Sequence, residues 1–263
     1  MKKCVIIGAA KIQNYERLKK YLSSEDFYIF CDGGLAHQKS LEVQPHLIVG
    51  DFDSWTGELP ADNESARQNP AHAQIIRLPT EKDDTDLFYA AKYALAQGFT
   101  DFLILGAIGQ RFDHSLCNIS LLLYLFKNGK KALLVDDFSE MQIIGQVTSQ
   151  QDEARRQAGK DVLKDLFIEK KLPCADSAGL QRDDQNHSFS LNIPGRVPDT
   201  FSFFSLMCVS GRADGVTIKN AKYPLSDASI QPEWQYAVSN QVLPGKTAEI
   251  TVKSGQLLLI KDF

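Results

Sequence analysis

Five cysteines are spread over 263 residues, at 4, 31, 117, 174 and 208. No two of them form a CxxC pair or stand at a metal-ligand spacing. Cys4 and Cys31 lie in strand-like runs and Cys117 in a helix-like one, so buried thiols in a reducing, cytoplasmic setting are expected. Long hydrophobic runs are also missing. The longest, ISLLLYLF, stops at Lys127, and the opening MKKCVIIGAAKIQNYERL has too short an apolar run for a secretory signal or a spanning helix. A membrane partner is therefore not expected. Nor is there an excess of positive charge: 29 Lys and Arg against 33 Asp and Glu leave a net charge of -4. Without a basic field, general nucleic-acid binding is set aside. No GxxxxGK[ST] loop occurs, which disfavours an ordinary P-loop kinase.

What is present is the composition of a soluble globular protein with a real core, 43% hydrophobic and 24% charged. The length suits one large domain or two ordinary ones. The first half alternates apolar strand-like runs with helix-like segments: CVIIG and a polar stretch to about Leu22, FYIFCDGG and a stretch to about Leu41, then HLIVGDFDS and QIIRLP. A helix from about Thr85, DFLILGAIG, a helix from about Asp113 to Phe126, and KKALLVDD follow. Such alternation with Val/Ile/Leu-rich strands predicts a mostly parallel, Rossmann-like α/β sheet covered on both faces. Leu87, Ala90, Ala91, Ala94 and Leu95 give the helix after Thr85 its apolar stripe.

From about Phe201 the texture changes. FSFFSLMCVSG, GVTIKN, QYAVSNQVL, TAEITV and QLLLIKDF are short runs broken by Gly, Pro, Asn and Asp, which predicts an all-β sandwich or barrel-like domain. MQIIGQV and HSFSLNI are candidates for two earlier strands of it. The expected division is an α/β domain over 1–137 and a β domain over 138–263. Within the second, the charged, glutamine-rich stretch at about 149–186 reads as a surface insertion containing an amphipathic helix.

Chemistry gathers at the ends of the first-half strands: CDGG at 31–34, GDFDS at 50–54, KDDTD at 82–86 and GQRFDH at 109–114. Each alone has an ordinary structural reading. Asp32-Gly33-Gly34 suits a turn needing positive φ, GDFDS an Asx-rich turn, and Asp83 and Asp113 helix caps with acidic first turns. Together they place acidic side chains at four strand ends, where open α/β sheets hold ligands. Asp51, Asp53, Asp83 and Asp86 are the hard oxygen donors that Mg²⁺ prefers, and Mg²⁺ commonly arrives with substrate phosphates. The spacing puts Asp83 and Asp86 on one helical face and Asp51 and Asp53 on one side of an extended backbone. Arg111 is the cation suited to a phosphate oxygen.

The ordered set CDGG, P-x-LIVGDFDS, DDTDLFYA and GAIGQRFDH with a following Asn, then NAKYPL and VSN in the β-rich part, resembles the thiamine pyrophosphokinase family. The resemblance runs from about Phe27 to Asn118 and from about Phe201 to Asn240. It implies an α/β domain for ATP and Mg²⁺ and a β-sandwich for thiamine. It also implies a homodimer whose active sites are shared between chains, and transfer of the pyrophosphoryl group of ATP to the thiamine hydroxyl. By position it implies that Asp51, Asp53, Asp83 and Asp86 hold metal and act in catalysis with Arg111 and Asp113. Asp32, Gly33, Gly34, Asp51, Arg111, His114 and Asn118 would contact ATP, and Tyr223, Ser239, Asn240 and Ser202 thiamine. Two positions depart from the family pattern: Gln110 stands where a glycine is usual, and Asn220-Ala221 where Gly-Leu is common. Two alternatives stay open: another Mg²⁺-dependent, nucleotide-using transferase, or a non-catalytic nucleotide-binding regulator.

Overall fold

The computed structural model describes residues 3–53, 57, 73–148 and 190–263. The expected insertion with its helix, together with Cys174, Ser54 and Trp55, lies outside the described residues. Six strands, β1 (Cys4–Ile7), β2 (Phe27–Cys31), β3 (Leu47–Gly50), β4 (Gln74–Arg77), β5 (Asp101–Leu105) and β6 (Lys131–Val135), pair in parallel in the order β6-β5-β1-β2-β3-β4. All four side chains of β1 have no exposed surface, as expected for a central parallel strand whose run is apolar on both faces. One core packs on each face of this sheet, around Ile6, Ile29 and Ile104 on one side and Val5, Phe30 and Leu103 on the other.

Four α-helices are present among the described residues: α1 (Tyr15–Lys19), α2 (Gln38–Leu41), α3 (Asp86–Ala96) and α4 (Phe112–Lys127). The first two are shorter than the expected stretches. The second begins as a 3-10 turn over Asp32–His37, because two adjacent glycines are poor helix formers. Ala90, Ala91 and Ala94 bury the inner face of α3. Thr85, rather than Asp83, caps it, accepting from the Phe88 amide at 3.3 Å. Leu121, Leu122, Leu125 and Phe126 bury α4 at the spacing of an amphipathic helix.

Eight further strands follow: β7 (Ser139–Thr148), β8 (Ser190–Ile193), β9 (Gly195–Pro198), β10 (Phe203–Cys208), β11 (Ala213–Lys219), β12 (Leu225–Ile230), β13 (Thr247–Thr251) and β14 (Gln256–Asp262). β7, β14 and β10 extend the first sheet as antiparallel neighbours, with β8 also on β7, making ten strands among the described residues. The join is a hairpin pairing Leu134 with Met141 and Val135 with Glu140. Backbone pairing therefore crosses the expected boundary at 137. A second, four-stranded antiparallel sheet runs β12-β11-β13-β9. Ile144, Phe204, Leu206, Leu257 and Leu259 from the first sheet share a core with Val197, Val216, Ile218 and Ile250 from the second, which makes this end of the molecule a β-sandwich. The run QYAVSNQVL forms no strand of its own; single bridges tie Asn240 to Phe204 and Val242 to Ala221.

Candidate active site

The carboxylates converge where the chain leaves β2 and β3. Asp32, Asp51 and Asp53 each offer an oxygen within 4.8 Å of one another. Two sharp backbone turns achieve this. Asp32 has φ 43° and Phe52 has φ 60°, left-handed conformations that cost a non-glycine residue about 1 kcal/mol or more. The Asp51–Asp53 segment therefore reverses at Phe52 instead of staying extended, and the Asp53 amide donates to Asp51 Oδ1 at 3.3 Å. The Arg77 guanidinium lies 5.3 Å over the Phe52 ring, a cation–π contact that helps hold the turn. Gly50 makes the approach possible, since a Cβ there would stand 3.0 Å from both Cα and Cβ of Asp32. Gly34 is required by packing: its Cβ would meet the Ile7 carbonyl oxygen at 2.4 Å.

Asp32 Oδ1 is buried with no hydrogen-bond partner, an orphaned acceptor that proteins rarely tolerate without a cation or water. Burial pushes the Asp32 carboxyl up, and Asp86, Asp51 and Asp53 add to the rise against a backbone hydrogen bond from Gly33. This donor set of hard, partly desolvated oxygens fits a divalent cation such as Mg²⁺.

Lys82, which sequence reasoning passed over, reaches into the cluster. Its Nζ donates to Asp51 Oδ2 at 2.8 Å and stands 3.0 Å from Asp86 Oδ1, four residues along the chain. The second contact is an ion pair at a geometry that makes no well-aligned hydrogen bond. The Lys82 hydrogen bond holds the Asp51 carboxyl below its usual range. Burial opposes the charge on Lys82, but the hydrogen bond to Asp51 and the ion pair with Asp86 outweigh it and its pKa rises. The only sequence signal for Lys82 was its place four residues before Asp86. Asp83 is exposed and stands outside this group, in the turn before Thr85 and off the face of α3. Asp84 pairs with Lys92 at 2.5 Å.

The start of α4 carries the other charged motif. Arg111 and Asp113 are exposed and pair at 2.7 Å, which lowers the Asp113 carboxyl, with a further contribution from the His114 backbone. His114 is exposed as well. Asp113 sits inside the first turn, and Arg111 occupies the cap position. Asn118 is buried, and its amide donates to the Ala107 carbonyl at 2.7 Å, so it fastens α4 to the loop after β5. Ser115 accepts from the Gly109 amide at 3.1 Å on the same loop.

His37 braces the neighbouring loop. It is buried, with Nδ1 2.8 Å from the Tyr15 hydroxyl and Nε2 3.1 Å from the Ala10 carbonyl. A carbonyl only accepts, so Nε2 carries the proton and Nδ1 accepts from Tyr15. Burial lowers the His37 pKa below its ordinary 6.5.

The residues expected to meet thiamine form a second group, beside β10 and after β11. Tyr223 is exposed. Asn240 is buried, accepts from the Tyr223 amide at 3.0 Å and returns a hydrogen bond to the Tyr223 carbonyl at 2.7 Å. Ser239 is exposed at φ 58°, its amide donating to Ser205 Oγ at 3.0 Å. Ser202 Oγ donates to the Phe263 carbonyl at 3.1 Å. Asn220, which stands where glycine is common, adopts φ 58°, a conformation that Asn tolerates better than most side chains.

Two family models match the chain: "Thiamin pyrophosphokinase, catalytic domain" over residues 18–134 and "Thiamin pyrophosphokinase, vitamin B1 binding domain" over residues 193–257. Together they take in more than half of the sequence, in the order of the two halves described above. The chain belongs to the thiamin pyrophosphokinase family. Within that family it is 31% identical over 141 residues to thiamine pyrophosphokinase of Bacillus subtilis (strain 168), covering 53% of this chain and 64% of that protein. It is 24% identical over 142 residues to thiamin pyrophosphokinase 1 of Caenorhabditis elegans, covering 51% and 54%. The chain thus spans between half and two-thirds of the length of these curated relatives. Over the whole fold, the crystal structure of the Bacillus subtilis enzyme superposes with a TM-score of 0.69 at 21% identity, covering 99% of both chains. Thiamin pyrophosphokinase from Candida albicans gives 0.60 at 15%, covering 100% of this chain and 89% of that one.

Proposed function

We propose that this chain is a thiamine diphosphokinase, transferring the pyrophosphoryl group of ATP to the thiamine hydroxyl and releasing AMP. The observation that carries the reading is the convergence of Asp32, Asp51 and Asp53 at the ends of β2 and β3, in a chain matched by both a catalytic and a vitamin-binding family model. On this reading residues 1–137 bind ATP and metal, and residues 138–263, with the stretch at about 149–186 inserted, bind thiamine.

Mg²⁺ would be held by Asp32, Asp51 and Asp53, with Asp86 beside them and Asp83 at the rim. It would offset charge on the phosphate oxygens. The chain's own part is placement. The turn bearing Gly33 and Gly34 and the first turns of α4, bearing His114 and Asn118, seat the nucleotide. Arg111, exposed and paired with Asp113 in a solvated contact, is available to neutralise the transferred group. The thiamine hydroxyl attacks the β-phosphorus in line, its proton passing to one of the site carboxylates, and AMP leaves. Tyr223 offers an exposed aromatic face to the cationic thiazolium, with Ser239, Asn240 and Ser202 around it.

The active assembly is a cytoplasmic homodimer with sites shared between chains. Phe203, Met207, Trp234, Tyr236 and Val238, exposed on β10 and the segment beside it, supply an apolar surface for pairing. Among the described residues, no helix is long and apolar enough to cross a membrane.

The test is a product assay with thiamine, ATP and Mg²⁺. Thiamine diphosphate and AMP in equal amounts, lost on adding EDTA, are expected. ADP with thiamine monophosphate would change the attacked phosphorus, and ATP binding without any thiamine product would overturn the assignment.

A further inference from the structure

Asp51 has both carboxylate oxygens engaged from within the chain. Oδ1 accepts from the Asp53 amide at 3.3 Å and Oδ2 from Lys82 Nζ at 2.8 Å. The same ammonium stands 3.0 Å from Asp86 Oδ1. Lys82 therefore sets one positive charge between two of the four carboxylates Asp32, Asp51, Asp53 and Asp86. Its side chain is 18% exposed, so the pair is only partly screened by water.

A divalent ion on Asp51, Asp53 and Asp32 would share Asp51 with this ammonium. Like charges at such separation in a half-buried site repel strongly enough to change a binding constant by about tenfold or more. We infer that Lys82 is a tethered counter-ion, holding Asp51 and Asp86 in place before the divalent ion arrives and competing with that ion for Asp51. The inference rests on the metal site proposed above and adds a consequence. A bare ion enters against Lys82, whereas an ion arriving with phosphates brings anionic oxygens that give the displaced ammonium a new partner. Lys82 thus favours metal loading together with nucleotide over metal loading alone.

The test is calorimetric titration of the full chain with Mn²⁺, with neither nucleotide nor thiamine present, alongside metal-free thermal melts. Lys82→Gln should bind Mn²⁺ about tenfold more tightly than the parent and melt at a lower temperature without metal, since the carboxylates lose their internal counter-charge. Lys82→Arg keeps the charge and should bind Mn²⁺ no more tightly than the parent. Unchanged or weaker binding in Lys82→Gln overturns the inference, as does tighter binding in Lys82→Arg. Should Lys82→Gln fail to fold without metal, the arginine variant alone decides by the same criterion. A parent that binds no Mn²⁺ would remove the metal site and this inference together. A parent that binds Mn²⁺ with the expected variant pattern, yet makes no thiamine diphosphate, would remove the reaction and leave the role of Lys82 intact.

Discussion

Asp53 stands exposed, one left-handed residue beyond Asp51, and its backbone amide donates to Asp51. Asp53→Asn therefore removes one charge from the cluster without opening a cavity. Turnover should fall about 100-fold or more, as for loss of a metal-site carboxylate, with a melting temperature close to that of the parent. Near-normal kcat and KM would remove Asp53 from the site. His37 bears on stability instead. Its folded pKa lies below the unfolded value near 6.5 because burial disfavours the imidazolium. The unfolded chain thus binds the extra proton first, and the stabilisation, fully present above pH 6.5, is lost as pH falls through that value towards the folded pKa. Denaturant melts between pH 5 and 8 should show this slope in the parent and a shallower one in His37→Gln. Equal slopes would mean that other groups set the acid limb.

At the scale of elements, the two loops beside the β-sandwich differ in kind, although both bear expected thiamine contacts. Tyr223 projects into solvent, while Asn240 beneath it ties down the backbone at three points: the Tyr223 amide, the Tyr223 carbonyl and the Gln241 amide. Asn240→Ala should cost about 1–2 kcal/mol of stability by leaving part-buried backbone groups without their partner, and should raise the thiamine KM. Tyr223→Ala should raise the thiamine KM with little change in stability or in the ATP KM. Matching stability losses in the two variants would contradict this division of labour.

The parallel strands were legible because each is an apolar run bounded by polar turns. The helix after Thr85 was legible because its alanines recur at helical spacing. β9, with GRVP, and β12, with LSDASI, lack such contrast: at the edges of the four-stranded sheet, β9 leaves alternate side chains to solvent and β12 exposes Ser226 and Asp227 side by side. In the site, the carboxylates could be read from residue type and motif spacing. The grouping of Asp32 with Asp51 and Asp53, in place of Asp83, depended on left-handed φ values at Asp32 and Phe52. Bulky and acidic residues do not advertise that conformation in a sequence. Lys82 escaped notice because a lysine in a run of aspartates reads equally well as a solvated surface charge.

Across the whole molecule, the ten-stranded sheet joins the α/β half to the β-sandwich through backbone hydrogen bonds at β6 and β7. A buried ion pair between Lys261 of β14 and Glu140 of β7, with the Tyr21 hydroxyl on the same carboxylate, ties the segment after α1 to that join. One group of exposed apolar side chains, Phe203, Met207, Trp234, Tyr236 and Val238, lies at the β10 border of the sheet. Sedimentation velocity should show a dimer for the parent and a shift towards monomer for Met207→Glu, because burying a carboxylate at an apolar contact is costly. A Met207→Glu protein that stays dimeric would place the contact on another face.

The position of β14 also orders events in time. It lies between β7 and β10 in the sheet, yet follows β7 by roughly 100 residues of chain, a separation that makes pairing slow. The six parallel strands are complete by Val135 and can assemble while synthesis continues. β7 and β10 then wait as unpaired edges until the strand that separates them has left the ribosome. During that interval the nascent chain presents two open β-edges, and the sandwich that carries Tyr223 closes last.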